Sequence, residues 1–440
     1  MSTLLKSAII TSILALAVSS FQVVAKVPPE MAEKVKELTK SRGGKVMGQR
    51  VGKKVAKAFD LYNGAHRDEE VKRTEAEETE DLNEAIALLL EVSTKNTFDK
   101  ANVNRYIGGF YAVIDGKTKE SIKYLKEAAE LDVLPFKDHA DVLRNLGALY
   151  MAERNFEESI KYNKKYLEFS LDQDQVIYLS IANAYYELKQ FDKIIEPAEE
   201  SIKYYAKWDK PKISPYILIM ASYYERKMMP EAITAVENIV KNFPTEESWW
   251  IQLGGFYALT EQNDKALSTY RLANQQGFLK KETDFKRLAQ FYSNAGIPYK
   301  SAIVQEEQIN KGVLKKDEKS LSIMAQTFQN AREFAKAAKY YGEAAEIKND
   351  ADLYRKQGIA FMANEEFSKA VAAFDKALKA KPKRKGQLLL ALGEAQFYLE
   401  NWKKSYAAFS EASDIKRSAR TAKGWIGFVK DTANRKGVTL

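Results

Sequence analysis

Gly108-Gly109-Phe110-Tyr111-Ala112 recurs intact as Gly254-Gly255-Phe256-Tyr257-Ala258, and this duplication sets the register in which most of the chain repeats itself. Aligned on its tyrosine, aromatic residues stand at Tyr111, Tyr150, Tyr185, Tyr223, Tyr257, Tyr292, Phe328 and Phe361, separated by 33 to 39 positions. Three residues ahead of each lies Gly108, Gly147, Ala182, Met220, Gly254, Ala289, Ala325 or Gly358. Small residues return nine or ten positions after it at Ser121, Ser159, Ala232, Ala266, Ser301, Ala337 and Ala370, with Ile194 in the remaining place. Leu125, Tyr270, Tyr341 and Phe374 then supply bulk. Paired antiparallel helices approach closely only where a bulky side chain of one fits over a small residue of the other. The period therefore reads as helix, short turn, helix.

Self-similarity at this spacing marks a repeat array. The pattern resembles the tetratricopeptide repeat, whose order of Trp, Leu-Gly, Tyr, Ala, Phe and Ala is followed at Trp250, Leu253-Gly254, Tyr257, Ala266, Tyr270 and Ala273. Eight units carry the aromatic; a ninth, at Leu392-Gly393, Trp402, Phe409 and Ala412, has Gln396 in its place. A degenerate first unit is expected from Val55 to Tyr62 and Leu82 to Val92, split by a solvated acidic loop from Arg67 to Asp81. The fold class this implies is all-α, a right-handed α-solenoid over residues 54–417, closed by a C-terminal capping helix and tail over residues 418–440. Trp425, Phe428 and Val429 mark the inner side of that helix.

Composition narrows the chemistry. Among 440 residues there is no Cys and only two His, while 21 Gly and 10 Pro are few for the length. Absent thiols exclude disulfides, Cys-ligated zinc, iron–sulfur clusters and thiolate catalysis. Met1 to Lys6 carries a positive charge, Ser7 to Ser20 is apolar, and Val23-Val24-Ala25 offers small residues at a cleavage position. Residues 1–25 therefore read as a signal peptide, with a mature chain from Lys26, no integral membrane span within it, and a periplasmic location. Residues 26–57 hold ten Lys or Arg against three acids, and residues 376–436 fifteen against five. Both ends are basic and the remainder is net negative. Residues 26–53, with Ser41-Arg42-Gly43-Gly44-Lys45, are expected to form a flexible arm. The basic C-terminal end suits contact with an anionic surface. It lacks the interleaved aromatics that stack bases, so nucleic acid is not an expected partner.

No phosphate-binding loop, dinucleotide fingerprint, nucleophile elbow or zincin motif occurs. His139 reads as a polar residue at a helix entry, and the pairs Glu199-Glu200 and Glu306-Glu307 as solvated helix faces. The expectation is a protein that is not an enzyme, with no catalytic residue, no metal and no cofactor. Binding is what a solenoid of this kind offers, because the first helix of each tetratricopeptide pair lines a concave groove. Two and six residues before the aligned aromatic, and one and two after it, the groove positions are Arg105, Arg144, Asn183, Tyr186, Glu187, Tyr224, Glu225, Lys286, Gln290, Asn294, Gln326, Asn330 and Arg355. Such a surface suits an extended peptide held by amide and charged groups with aromatic anchors. Asn183 lies where the family's carboxylate clamp places an Asn, but Leu179 replaces the Lys beside it, and no clamp is expected. Of the adjacent Trp249 and Trp250, the second fills the consensus core position.

Further stretches resemble one group of such proteins. Ile181-Ala182-Asn183-Ala184-Tyr185-Tyr186-Glu187-Leu188-Lys189-Gln190, Trp249-Trp250-Ile251-Gln252-Leu253-Gly254, Gly296-Ile297-Pro298-Tyr299-Lys300 and Lys423-Gly424-Trp425-Ile426-Gly427-Phe428 are similar to the periplasmic tetratricopeptide proteins encoded with TonB energy-transduction systems in marine gammaproteobacteria. The resemblance implies an accessory or scaffold in TonB-dependent import, with TonB-system components or an outer-membrane receptor as protein partners. An adaptor for outer-membrane or envelope-polymer assembly, or a helical-repeat enzyme acting on cell-wall glycans, are the alternatives.

Overall fold

The computed structural model describes residues 26–66 and 73–440. The expected signal peptide, residues 1–25, lies outside the described residues, as does 67–72 of the expected acidic loop. Among the described residues there are 22 α-helices and no strand. The chain divides into two compact units, up to Pro244 and from Thr245 onward. The first holds α1 (Ala32–Arg42), then five helix pairs: α2 (Gln49–Asn63) with α3 (Glu75–Leu90), α4 (Thr97–Ala112) with α5 (Thr118–Glu130), α6 (Phe136–Ala152) with α7 (Phe156–Ser170), α8 (Gln175–Glu187) with α9 (Ile195–Trp208), and α10 (Ser214–Glu225) with α11 (Met229–Asn242). The second also holds five pairs: α12 (Glu247–Leu259) with α13 (Asn263–Gln275), α14 (Glu282–Asn294) with α15 (Pro298–Asn310), α16 (Glu318–Asn330) with α17 (Phe334–Lys348), α18 (Ala351–Ala363) with α19 (Phe367–Lys379), and α20 (Lys385–Tyr398) with α21 (Trp402–Ser413). Helix α22 (Ala419–Arg435) follows.

Four of the ten pairs are locked by a bulky side chain over a glycine, the alternation seen in the sequence. A Cβ on Gly254 would stand 2.5 Å from the Tyr270 ring, on Gly358 2.3 Å from Phe374, on Gly108 2.6 Å from Leu125 and on Gly393 2.8 Å from Phe409. All four bulky partners are fully or almost fully buried. Three of the four serines at the small position of the second helix also tie the two backbones, while Ser301 accepts from the Ser293 hydroxyl instead. Ser121, Ser159 and Ser405 donate their hydroxyls to the carbonyls of Gly108, Gly147 and Gly393 at 2.7–2.8 Å. Ile194, at the corresponding place of α9, is buried inside a short 3-10 turn, Phe191–Ile194, that precedes the α-helix.

The turns keep the same register. The carbonyls of Tyr150, Tyr185, Tyr223, Tyr257, Tyr292, Phe328, Phe361 and Gln396 each accept from the amide five residues on, every time at 2.9 Å. The residue before that amide takes a left-handed conformation, and seven of the eight are not glycine. A closing hydrogen bond donated by the residue after a left-handed one is a common way to end a helix. Here it fixes Gln396 as the ninth unit's equivalent of the aromatic. The first aromatic unit departs: its turn is longer and bends at Gly116.

Two expectations near the N-terminus are corrected. Residues 26–53 are not a flexible arm, because they contain α1 and the start of α2 and are tied down. Arg42 donates to Asp132 at 2.8 Å and to the Leu134 carbonyl at 3.0 Å, with its guanidinium over the Phe169 ring. The loop expected up to Asp81 ends at Thr74, which opens α3 through a capping box with Glu77. Asp81 lies inside that helix, buried between His66 at 3.1 Å and Arg73 at 3.1 Å. Helix α22 packs Ala422, Val429 and Ala433 inward and stacks Trp425 on Phe409, but Phe428 stays half exposed.

Substituting Gly254→Ala forces a methyl group into the Tyr270 ring. Overpacking of this kind costs about 1–3 kcal/mol, so the denaturant midpoint should fall, and trimming the ring as well with Tyr270→Ala should relieve the clash while leaving a cavity.

Candidate functional site

In the N-terminal unit, three of the four charged groove candidates are spent on neighbouring pairs. Arg105 of α4 donates to Asp138 of α6 at 2.9 Å and to the Tyr106 hydroxyl. Arg144 of α6 lies 3.2 Å from Asp174, the N-cap of α8. Glu187 meets Arg154 at 3.6 Å. These pairings join groups 30 to 33 positions apart, about one repeat. Asn183 is buried, at 6% exposure. Tyr186 is half-buried with its ring against Phe191 at 5.8 Å. Tyr224 is half-buried and Glu225 exposed. The first-helix face of this unit is therefore largely committed to its own structure.

The C-terminal unit presents a different face. On α14, Gln290 donates to Asn294 at 2.6 Å, and on α16, at the same two register positions, Gln326 donates to Asn330 at 3.1 Å. All four side chains are exposed. The Tyr341 hydroxyl, from α17, donates to the Gln326 carbonyl oxygen at 2.9 Å and fixes its orientation. Two carboxamide pairs thus stand in register on successive first helices. Each carboxamide offers a donor and an acceptor, the complement of a peptide main chain. The flanking cations are held at their own helices: Lys286 beside Glu282, and Arg355 on Asp352 at 2.7 Å. Leu259 of α12 is 61% exposed and Ile323 of α16 51%. Where α14 ends, a cleft of about 510 Å³ is lined by Glu261, Asp264, Lys265, Phe291 and Asn294. Register alone places the amides; Tyr341, which orients Gln326 from the second helix, is legible in the sequence only as interior bulk.

Other sequence candidates resolve into structure. Trp249 is the buried tryptophan of its pair, while Trp250 is partly buried against Phe278. Glu306 is not on a solvated face: it accepts from Tyr340 at 2.6 Å and Lys336 at 2.8 Å, joining α15 to α17. His139 stands in the first turn of α6, at the helix entry as read from the sequence, and is buried there, its ring 4.6 Å from that of Phe169. Burial, with the Arg42 guanidinium nearby, holds its imidazole below the usual histidine range, against the weaker pull of Asp132. Among the described residues no group of three or more His, Asp or Glu is placed to hold a metal ion, and no helix is long and apolar enough to cross a membrane.

These environments separate structural from available residues. Arg144→Ala leaves buried Asp174 without its guanidinium, and Gln326→Ala leaves the buried Tyr341 hydroxyl without its acceptor; each should cost about 1–3 kcal/mol, whereas Gln290→Ala should stay within about 0.5 kcal/mol of the parent, and chemical denaturation measures all three. His139 adds an acid sensitivity. Below about pH 6.5 the unfolded chain takes up a proton that the folded chain binds only at lower pH. Stability is therefore lost as pH falls through that window, and His139→Phe should flatten that part of the stability–pH curve.

Comparison with known proteins agrees with the repeat register. The tetratricopeptide repeat model matches residues 324–385 and 355–419. No curated protein matches the chain in sequence. Among solved structures, YrrB, described as a TPR protein with an unusual peptide-binding site, is 16% identical, covering 46% of this chain and 99% of its own, with a TM-score of 0.32. The C-terminal part of a TPR repeat-containing protein from Cytophaga hutchinsonii is 18% identical over 58% of this chain and 99% of its own, also at 0.32. The TPR2AB domain of yeast Sti1, in its pHSP90 complex, is 15% identical over 66% of this chain and 98% of its own, at 0.25. Residues 324–419 thus carry tetratricopeptide repeats, and the shared turn register carries the same helix-pair design back to Tyr150.

Proposed function

We propose that this chain is a protein-binding scaffold exported to the periplasm, where it serves as an accessory of a TonB-dependent outer-membrane transport system. The observation that carries the binding role is the pair of carboxamide sets, Gln290 with Asn294 and Gln326 with Asn330, in register on α14 and α16. Tetratricopeptide repeats generally mediate protein–protein interaction, and residues 324–419 match their model. The export and transport roles rest on the signal-like residues 1–25 and on the resemblance carried by stretches such as 181–190 and 423–428.

The mechanism is capture on a preformed face. An extended partner segment exchanges water for main-chain hydrogen bonds to the carboxamides, while exposed Leu259 and Ile323 offer apolar contact. Helices locked in pairs pay little ordering entropy on binding. Each amide hydrogen bond adds roughly 1 kcal/mol net, so Gln290→Ala with Gln326→Ala should weaken capture about tenfold or more.

Photoreactive residues at Gln290, Asn330 and Tyr224, activated in cells and followed by identification of the crosslinked proteins, test the reading. Capture of TonB-system components or an outer-membrane receptor from positions 290 and 330 is expected. Capture of envelope-assembly factors or cell-wall enzymes in their place would overturn the transport role, and capture of nothing from 290 and 330 would overturn the binding face.

A further inference from the structure

The N-terminal segment ends in a site of its own within the N-terminal unit. Every polar group of Lys26 is engaged there. Its main-chain nitrogen donates to Asp172 Oδ1 at 2.7 Å, its Nζ to Gln175 Oε1 at 2.7 Å, and its carbonyl accepts from the Gln173 amide at 3.2 Å. The receiving groups are deep: Asp172 is 3% exposed and Gln175 1%, with Asp174 beside them at 1%. Asp172 Oδ2 is taken by the Tyr166 hydroxyl at 2.6 Å. Asp174 Oδ1 caps α8 through the Val176 amide, while its Oδ2 lies 3.2 Å from Arg144 Nη2 in poor alignment and has no hydrogen-bond partner. Arg144 pairs with Asp174 and reaches Asp172 only as a more distant charge.

Burying a carboxylate without a compensating charge is costly. Burial indeed raises the Asp172 carboxyl above the usual range, with Asp174 adding to the effect. A main-chain amide offers one dipole to this site. An α-ammonium at the same atom would offer a full positive charge and two more protons. The residues just before Lys26, Val23-Val24-Ala25, are those a signal-cleaving peptidase accepts.

We infer that hydrolysis of the Ala25–Lys26 bond creates an α-ammonium that seats on Asp172 beside Asp174, so that export processing itself completes the docking of residues 26–42. In that step water adds across the peptide bond: the C–N bond breaks, the oxygen goes to the Ala25 carbonyl carbon as a carboxylate, and the Lys26 nitrogen leaves as an ammonium. The inference rests on the export part of the proposed function and is independent of its transport part. The segment it fastens is the one that places Arg42 on Asp132 and over Phe169.

The test compares a chain beginning at Lys26, released from a removable fusion, with one beginning Gly-Ser-Lys26, each with and without Asp172→Asn. The readout is the pH midpoint at which the α-amino group becomes reactive to an acylating reagent. For the Lys26 start the midpoint should lie about one pH unit above the ordinary α-amino value near 8, a tenfold smaller free-amine fraction, and Asp172→Asn should return it. The Gly-Ser start should titrate ordinarily in both backgrounds. An ordinary midpoint for the Lys26 start, unchanged by Asp172→Asn, would overturn the inference without reference to any folding defect. Intact mass of the protein from a periplasmic extract separates the remaining outcomes. A chain starting at Lys26 supports the inference. A cut elsewhere overturns it while export stands, and an uncut chain overturns both.

Discussion

The contact on which the rest depends is a bulky side chain of a second helix pressed onto the bare backbone of the first. Tyr270 over Gly254, Phe374 over Gly358 and Phe409 over Gly393 are versions of one contact in the C-terminal unit, as Leu125 over Gly108 is in the N-terminal one. Because the ring occupies the volume a Cβ would need, the helices of a pair have a single depth and rotation available. The turn that joins them follows from that geometry, and so does the face the first helix turns outward. Buried residues accordingly form a succession of local clusters within each unit, such as the one built on Leu353, Phe374 and Leu388. Stability in such an array is close to a sum over units and neighbours.

Charge follows the same nearest-neighbour rule. Lys280 with Glu247 and Lys336 with Glu306 join groups one repeat apart, as Arg105 with Asp138 and Arg144 with Asp174 do. Exposed pairs of this kind contribute little each; the half-buried arginine pairs fix how successive first helices align. A charged residue on the first-helix face is thus more often spent on its neighbour than kept for a partner. Neutral carboxamides escape that use, which is why the available surface concentrates on α14 and α16.

The helix pairs, their glycine interlocks and the ninth unit at Gln396 were legible because each is a local pattern repeated many times. The capping box at Thr74 and Glu77 was equally local and lay inside a stretch whose charge suggested a loop. What sequence did not disclose is nonlocal: Lys26 meets residues almost 150 positions away, and Arg42 meets Asp132 and Leu134 about 90 away. A basic, glycine-containing segment reads as an arm until those acceptors are known. In the candidate face, register placed Gln290, Asn294, Gln326 and Asn330 correctly at exposed positions. It failed at Asn183, whose burial depends on what packs around it, and at Arg105, Arg144 and Glu187, whose partners come from adjacent pairs.

The most direct test of partner capture by the amide face is a crystal structure of the chain with the segment recovered by crosslinking. The segment's main-chain amides and carbonyls should lie within hydrogen-bond distance of Gln290, Asn294, Gln326 and Asn330. A segment seated instead on the second helices, or on the basic end around Lys379 and Lys383, with these carboxamides making no bond to it, would contradict it.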